Sequence, residues 1–203
     1  MDDSVERAAR ALTAGDLVVY PTETVYGLGA DALDGDAVER VYAVKDRPRE
    51  KPLSMGVPDT AAALEHVVAG ERERQFMREF LPGPVTVVCE KRSHVPDVLT
   101  AGRDRVGVRV PDHETARALF DAAGTPVTAT SANLSGTGSV RRVADLSSAV
   151  REQVAVVLDG GETPGGGSTV VDVARGEVHR RGALTDEVEA WLASEGSGNE
   201  RGA

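Results

Sequence analysis

The densest cluster of cations in this sequence lies in KDRPREKPLS, which begins at Lys45. Four of its residues, Lys45, Arg47, Arg49 and Lys51, are basic, although the whole chain has a formal net charge of -10. A triphosphate needs several cations around it, and lysine supplies point charges while arginine supplies a flat fork for phosphate oxygens. The alternative is a solvated loop whose charges pair with neighbouring carboxylates. The segment is therefore a candidate anion-binding site.

Three further segments place polar residues or glycines where predicted strands end, which is where open α/β sheets usually bind ligands. They are PTETVYGLGAD from Pro21, TATSANLSG from Thr128 and GGETPGGGSTVVD from Gly160. In the second segment, Ser131 and Asn133 alternate to the same side of the chain and could hold a base, a ribose or a phosphate. Each segment could instead be an ordinary turn. The glycines match neither a Walker phosphate loop nor a dinucleotide fingerprint.

The elements that must position these segments alternate between short β-type runs and amphipathic helical runs, the pattern of helices layered on one sheet. The predicted strands are LVVY, LSMGV, VTVVCE, VGVRV, PVTAT, VAVVL and STVVDV. Helices are predicted from Ser4, across 36–44 and 114–123, and after a cap at Thr185. Because VTVVCE and VGVRV are joined by an irregular stretch, we expect a mixed sheet in an α/β fold.

Length and composition predict one core. A chain of 203 residues with 40% hydrophobic content can bury one sizeable core, so we predict a single domain over 1–194 and a disordered tail over 195–203. No stretch reaches the roughly 20 apolar residues of a membrane span, and the acidic start MDDSVERAAR does not resemble a signal peptide. We therefore expect a cytoplasmic protein without membrane contact. The negative net charge argues against a general nucleic-acid-coating surface.

The thiol and imidazole groups do not indicate a metal site. Cys89 is the only cysteine, which excludes an internal disulfide, and its place in VTVVCE predicts a buried strand position rather than a nucleophile. The four histidines are scattered without metal-ligand spacing, so we expect no zinc site. They are His66, His94, His113 and His179.

Taken together, the motifs resemble the threonylcarbamoyl-AMP synthase family, the YrdC-domain proteins, from about Ala11 to Leu184. PTETVYGLGADA, the KxRPxxKPLS stretch, LPGPVTVV, VGVRVPDH, SANLSG and GSTVVD follow that family's order and intervals. The resemblance implies a twisted, open α/β sheet with flanking helices and a concave basic site. It also implies the formation of threonylcarbamoyl-AMP and pyrophosphate from L-threonine, bicarbonate or CO2, and ATP, for the threonylcarbamoyladenosine modification of tRNA.

The same resemblance implies the site residues. The catalytic, phosphate-contacting residues are Lys45, Arg47 and Lys51. The ATP site comprises Arg47, Lys51, Ser131, Asn133, Arg141 and Arg180, with Arg181 as an open alternative to Arg180. The threonine site comprises Thr24, Arg109 and Ser168, with Arg109 as the partner of the substrate carboxylate. Magnesium is expected to arrive with the ATP phosphates, without dedicated protein ligands.

Two features depart from the family pattern. Gly56 stands where many members carry a histidine or a bulkier residue, so that edge of the pocket must be filled differently. Longer members add a C-terminal domain after a linker, whereas this sequence has one further helix and a short tail, so we expect the short single-domain form.

The expected partners are a downstream tRNA threonylcarbamoyl transferase complex and, weakly, tRNA itself. One alternative is a nonenzymatic protein of the same fold that binds double-stranded RNA, which the acidic composition disfavours. Another is a carbamoyl-adenylate-forming module of a hydrogenase-maturation protein. Such modules normally sit beside acylphosphatase and zinc-finger segments, which this sequence lacks.

Overall fold

A computed structural model gives the fold and describes residues 3–196. Its α-helices are α1 (Asp3–Thr13), α2 (Gly35–Lys45), α3 (Thr60–His66), α4 (Glu71–Phe80), α5 (Asp97–Thr100), α6 (Glu114–Ala123), α7 (Ser148–Arg151) and α8 (Thr185–Gly196). Its strands are β1 (Leu17–Tyr20), β2 (Gly27–Gly29), β3 (Ser54–Gly56), β4 (Val67–Val68), β5 (Val85–Lys91), β6 (Arg105–Arg109), β7 (Val127–Ser131), β8 (Val154–Val157), β9 (Thr169–Asp172) and β10 (Glu177–Arg180). A short 3-10 helix covers Val143–Asp145.

Every predicted strand is present, and the ends of two helices differ from prediction. Helix α1 begins at Asp3, so Ser4 lies within the helix and is not its cap. Thr185 is the first residue of α8 rather than its cap, and its hydroxyl bonds back to Gly182. Helix α8 also continues to Gly196, so the first two residues of the predicted tail are helical. The remainder of that tail, 197–203, lies outside the described residues. Among residues 3–196, each helix is too short or too polar to span a bilayer.

The strands form one mixed sheet, as predicted, in the order β10-β9-β5-β6-β3-β7-β2-β1-β8, and β4 pairs with the far end of β5. The β1–β8, β3–β6 and β5–β9 pairs are parallel, and the other pairs are antiparallel. The irregular stretch between β5 and β6 returns the chain antiparallel, with Val87 opposite Val108. This order brings the end of β6 beside β3 and places β7 next in the sheet.

Side-chain alternation separates a buried face of the sheet from a polar one. On β6, Val106 and Val108 enter the main core, whereas Arg105, Gly107 and Arg109 face the opposite side. The main core is covered by α2, α4 and α8. On the polar side, α1 and α6 cover only one part of the sheet with a second apolar cluster. The uncovered part becomes a cleft.

Gly107 leaves space for neighbouring side chains at the base of that cleft. A Cβ atom there would lie 2.4 Å from the Ser54 hydroxyl and 2.9 Å from the Thr86 methyl group. These contacts are too short for any side chain, so only glycine lets β3, β5 and β6 pack at this spacing.

A buried ion pair ties β6 to β9 across the intervening strand β5. Asp172 is fully buried, and its Oδ2 lies 2.8 Å from Arg105 Nε while its Oδ1 accepts from Arg105 Nη2 at 2.9 Å. Arg105 also donates to the Val88 carbonyl of β5, and Glu73 of α4 lies 3.5 Å from it. Removing the fully buried Asp172 would leave the charge of Arg105, whose side chain is only 17% exposed, without its main partner.

We predict that Asp172→Ala destabilises the protein by about 3–5 kcal/mol, because Arg105 would lose its buried partner. Asp16→Ala is the matched control, since Asp16 pairs with Arg40 at 3.4 Å on the surface and its loss costs about 1 kcal/mol or less. Urea unfolding of both variants measures the difference. Equal, small losses of stability would show that the buried pair is not structural.

Candidate active site

Seven of the predicted site residues line a single cleft of about 980 Å³. They are Thr24, Arg47, Lys51, Arg109, Ser131, Ser168 and Arg180. They come from the loop after β1, the loop after α2, the ends of β6 and β7, and the β9–β10 hairpin region. The cleft is at the upper end of the usual size range for small-molecule sites. Residues more than 150 positions apart in sequence, such as Thr24 and Arg180, therefore share one site.

Arg109 and Thr24 form one wall of the cleft. Thr22 Oγ1 accepts hydrogen bonds from the backbone of Thr24 and Val25, so the segment after β1 turns tightly. Thr24 Oγ1 is thereby presented to Arg109, whose Nη2 donates to it at 2.8 Å. The same Nη2 donates to Glu23 Oε1 at 2.8 Å. The turn thus fixes one nitrogen of the guanidinium from two sides.

Ser168 and Arg180 lie on the other side of the cleft. Arg180 Nε donates to the Ser168 carbonyl at 3.0 Å and its Nη2 donates to the Ser168 hydroxyl at 2.7 Å. Thr86 on β5 holds that hydroxyl from below, 3.0 Å away. Arg181 instead pairs with Asp186 and Glu189 of α8. Of the two candidate arginines, the structure therefore brings Arg180 and not Arg181 into the cleft.

The basic segment after α2 divides between the cleft and the surface. Arg47 donates from Nε to the Lys51 carbonyl and from Nη2 to the Pro52 carbonyl, both at 3.0 Å, and this shapes the loop. Arg49 pairs with Glu39 on α2, away from the cleft. Lys51 is exposed in the cleft and has no ion pair within residues 3–196. Arg47 and Lys51 are thus the cations of this segment that line the cleft.

Lys45 is not a surface residue of the cleft. It is the last residue of α2, only 2% exposed, and its ammonium donates to the carbonyls of Ser131 and Asn133. Burial, reinforced by the charge of Arg47, lowers the pKa of Lys45 from 10.5 to about 8. In this arrangement Lys45 supports the turn that carries Ser131, and its predicted direct contact with phosphate stays a prediction.

Asn133 and Arg141 also lie outside the cleft lining and hold loops in place. Asn133 Nδ2 donates to the carbonyls of Leu134 and Thr137, which closes the turn after β7. Arg141 donates from Nε to the Thr163 carbonyl and pairs with Glu162 at 2.9 Å. Both residues therefore shape the rim of the site in this structure, and their predicted contacts with ATP remain predictions.

The glycine-rich segment closes the cleft beside Thr24. Gly165 has a φ of +91°, and its amide donates to the Thr24 carbonyl at 2.7 Å. Gly166 and Gly167, which follow it, line the cleft. The backbone of this segment therefore approaches the ligand space directly, as close approach through glycine allows.

The cations of the cleft raise its positive potential. Burial lowers the pKa of Arg180, and the nearby charges of Arg109 and Arg47 lower it further. Burial likewise lowers the pKa of Arg47. Each shift means that the charged form is held at a free-energy cost, which a bound anion would relieve. The arrangement is therefore suited to binding carboxylate and phosphate groups.

Comparison with known proteins identifies the family. The family model for Sua5, YciO and YrdC proteins, described as "Telomere recombination", matches residues 10–182. The chain belongs to the Sua5/YciO/YrdC family. The resemblance predicted from the sequence motifs is thus confirmed.

Relatives and a solved structure in this family extend the comparison. Curated relatives named threonylcarbamoyl-AMP synthase occur in Pyrococcus abyssi, 40% identical over 169 residues, and in Bacillus subtilis, 39% identical over 178 residues. These alignments cover 82% and 85% of this chain but only 49% and 51% of the relatives, so the chain spans about half of their length. The crystal structure of P. abyssi Sua5 complexed with L-threonine matches with a TM-score of 0.86 at 38% identity, covering 92% of this chain and 56% of that one. The open, twisted α/β fold is thereby confirmed.

Several residues at or beside the cleft have no role in the predictions from sequence. Glu23 is one of them, although a carboxylate between two threonines in a polar turn is an unusual feature. Thr86 lies within the quoted LPGPVTVV motif, and only the sheet order shows that it touches Ser168. The structure also brings together two histidines that the sequence separates, with His66 Nδ1 2.9 Å from His94 Nε2, outside the cleft. Residues 3–196 contain no group of three or more His, Cys, Asp or Glu side chains arranged to hold a metal.

The space beside Gly56 is filled by Phe120. A Cβ atom on Gly56 would lie 2.7 Å and 2.9 Å from two atoms of the Phe120 ring, and both residues line the cleft. Phe120 is held from α6 by an edge-to-face contact with Tyr20, with ring centroids 5.2 Å apart. A ring from a helix therefore occupies the volume that a larger residue on β3 would take.

We predict that Gly56→Ala destabilises the protein by about 1–3 kcal/mol, because the added methyl group overpacks against Phe120. Combining it with Phe120→Leu should cost less than the sum of the two single changes by at least about 0.5 kcal/mol. Gly138→Ala is the control, since a Cβ atom there meets nothing within 4 Å. Chemical unfolding of the four variants provides the measurement, and strict additivity would contradict this account of the pocket edge.

Proposed function

We propose that this protein is an enzyme that forms threonylcarbamoyl-AMP and pyrophosphate from L-threonine, bicarbonate or CO2, and ATP. The observation that carries the proposal is the meeting of two anion sites in one cleft. Arg109 with Thr24 forms one of them, and Arg47 with Lys51 forms the other. An amino-acid carboxylate and a triphosphate can then bind side by side. Membership of the family and the names of its relatives support the same reaction.

The chemistry of this reaction suits a cleft without a protein nucleophile. The threonine amine, after losing a proton, attacks CO2 to give a carbamate. A carbamate oxygen then attacks the α-phosphorus of ATP, and the bond to the bridging oxygen breaks to release pyrophosphate. Orientation of the two substrates and stabilisation of the phosphate charge are what the protein must supply. Cys89 has no part in this step, since it is buried in β5 and burial raises the pKa of its thiol.

Some residues of the cleft are proposed to contact the substrates directly, and others to hold those residues in place. Arg109 is the proposed partner of the threonine carboxylate, and Arg47 and Lys51 are the proposed partners of the phosphates. Ser131 and Ser168 add hydroxyl groups on the two sides of the cleft. Lys45 supports the turn of Ser131 from beneath and raises the local positive potential. Its proposed contribution in this structure is to positioning as well as to charge.

Magnesium enters this proposal as part of the ATP substrate. Mg²⁺ usually keeps several waters and binds substrate phosphates with few protein ligands. We further propose that the adenylate passes to a separate tRNA-modifying transferase, and that any contact with tRNA is weak because the chain carries a net charge of -10. The RNA-binding alternative lacks comparable support, since the cleft is sized for small ligands.

Pyrophosphate release by the purified protein should require L-threonine, bicarbonate and magnesium together with ATP. Serine should be a weaker substrate, because one methyl group in an apolar niche is worth about 1–3 kcal/mol. A coupled pyrophosphate assay with each component omitted in turn measures this dependence. Release that is indifferent to threonine would refute the proposed reaction.

Lys51→Ala should lower the rate of pyrophosphate release by about a hundredfold while leaving unfolding stability nearly unchanged. The loss of a charge beside the reacting phosphates commonly removes a few kcal/mol of transition-state stabilisation, whereas an exposed side chain contributes little to folding. Arg7→Ala on the exposed face of α1 is the control cation and should retain parental activity. Steady-state rates and thermal unfolding of both variants provide the measurement. Parental activity in Lys51→Ala would show that Lys51 does not contact the reacting phosphates.

A further inference from the structure

Arg109 is anchored in a way that leaves one side of its guanidinium for a ligand. Its Nη2 donates to both Glu23 Oε1 and Thr24 Oγ1 at 2.8 Å, which uses both hydrogens of that nitrogen. Its Nη1 makes no hydrogen bond within residues 3–196, and the residue lines the cleft. Nε also lacks a hydrogen-bond partner within the described residues, but it is buried. The internal contacts therefore fix Nη2 and leave Nη1 available for a ligand in the cleft.

Glu23 makes this contact from outside the cleft. It is not one of the lining residues, and its side chain is only 16% exposed, against 12% for Arg109. Its second oxygen, Oε2, is buried and has no hydrogen-bond partner within the described residues. The oxygen that has a partner is engaged by Arg109, which lies between Glu23 and the cleft. Any effect that it has on a ligand must pass through Arg109.

The negative charge of Glu23 also contributes to the net charge of the part of the cleft that holds Arg109 and Arg180. Arg109 and Arg180 stand close enough for their charges to interact, and Ser168 holds Arg180 with neutral groups only. The charge of Arg47 also reaches Arg180. Glu23 therefore offsets one positive charge and leaves this end of the cleft net positive, which favours an anionic ligand.

We propose that Glu23 is a positioning residue for the amino-acid substrate, which holds Arg109 in the orientation that binds the substrate carboxylate. This inference rests on the proposed function and adds a residue to it. Thr24 alone is a weaker restraint, because its neutral hydroxyl lacks the opposite charge with which Glu23 attracts the guanidinium. Without the Glu23 charge, the long Arg109 side chain would sample orientations that do not meet the carboxylate.

The test is Glu23→Gln, which keeps the size of the side chain and its Oε1 acceptor but removes the charge. The KM for threonine should rise about tenfold, as the loss of one charge-assisted contact predicts. The KM for ATP and the thermal midpoint should stay close to the parental values, because the phosphate-binding cations and the core are unchanged. Glu23→Asp keeps the charge on a shorter arm and should raise the threonine KM to an intermediate value.

Two comparisons separate positioning from a general structural role. Glu71→Gln removes a similar ion pair, with Arg78 on the surface of α4, and should leave the threonine KM unchanged. Arg109→Lys should raise the threonine KM by itself. Because Glu23 acts through Arg109, adding Glu23→Gln to Arg109→Lys should cause little further increase, which a double-mutant cycle measures.

The outcomes that overturn the inference are distinct. A folded Glu23→Gln variant with an unchanged threonine KM contradicts it directly. Equal increases in the KM for threonine and for ATP, with a lowered thermal midpoint in both Glu23 variants, would assign Glu23 to folding instead. If the parent protein itself shows no threonine-dependent turnover, the proposed function fails and this inference fails with it. Normal parental turnover beside an unaffected variant refutes only the role of Glu23.

Discussion

Repulsion between like charges in a single cleft is the constraint that the surrounding structure has to satisfy. Several arginines and a lysine line the same cleft. The arginines need contacts that fix their orientation, and these contacts either neutralise the positive charge or leave it available to a ligand. Arg105 is neutralised by Asp172 and becomes a structural tie between strands. Arg47 and Arg180 are held mainly by backbone carbonyls, which orient a guanidinium but leave its full charge. The type of acceptor therefore separates structural cations from those available to a ligand.

Arg109 stands between these two cases. Its partner Glu23 is a carboxylate, but only one nitrogen of the guanidinium is engaged. Lys45 is held by uncharged groups, since its buried ammonium donates to carbonyls of the turn after β7. That burial lowers its pKa and links the end of α2 to the turn that bears Ser131. A shift of α2 would therefore disturb the turn after β7, and the reverse also holds.

The sheet face beneath these cations is closely packed. Gly107 leaves room for the side chains of Ser54 and Thr86, and Gly56 leaves room for the ring of Phe120. Helices α1 and α6 cover part of the same sheet face with an apolar cluster, and the cleft begins where that cover ends. The boundary between core and site is thus a boundary of helix coverage on one continuous sheet.

The class of fold, seven of the ten strands and seven residues of the cleft follow from the amino-acid sequence and its motifs. The polar turn after β7 marks Ser131, whereas Thr24, Arg109 and Ser168 were indicated by the family motifs. These features are local, because a strand's period of two and a turn's composition are set by neighbouring residues. The family motifs added the expected chemistry.

Tertiary structure alone decided which polar groups meet. The order of strands in the sheet joins Thr86 to Ser168, and the burial of α2 turns Lys45 toward backbone carbonyls rather than into the cleft. It also assigns Arg180 to the site and Arg181 to the surface, although the two are adjacent in sequence. Partner choice depends on contacts between residues far apart in the chain, and no local pattern encodes the distance between Glu23 and Arg109.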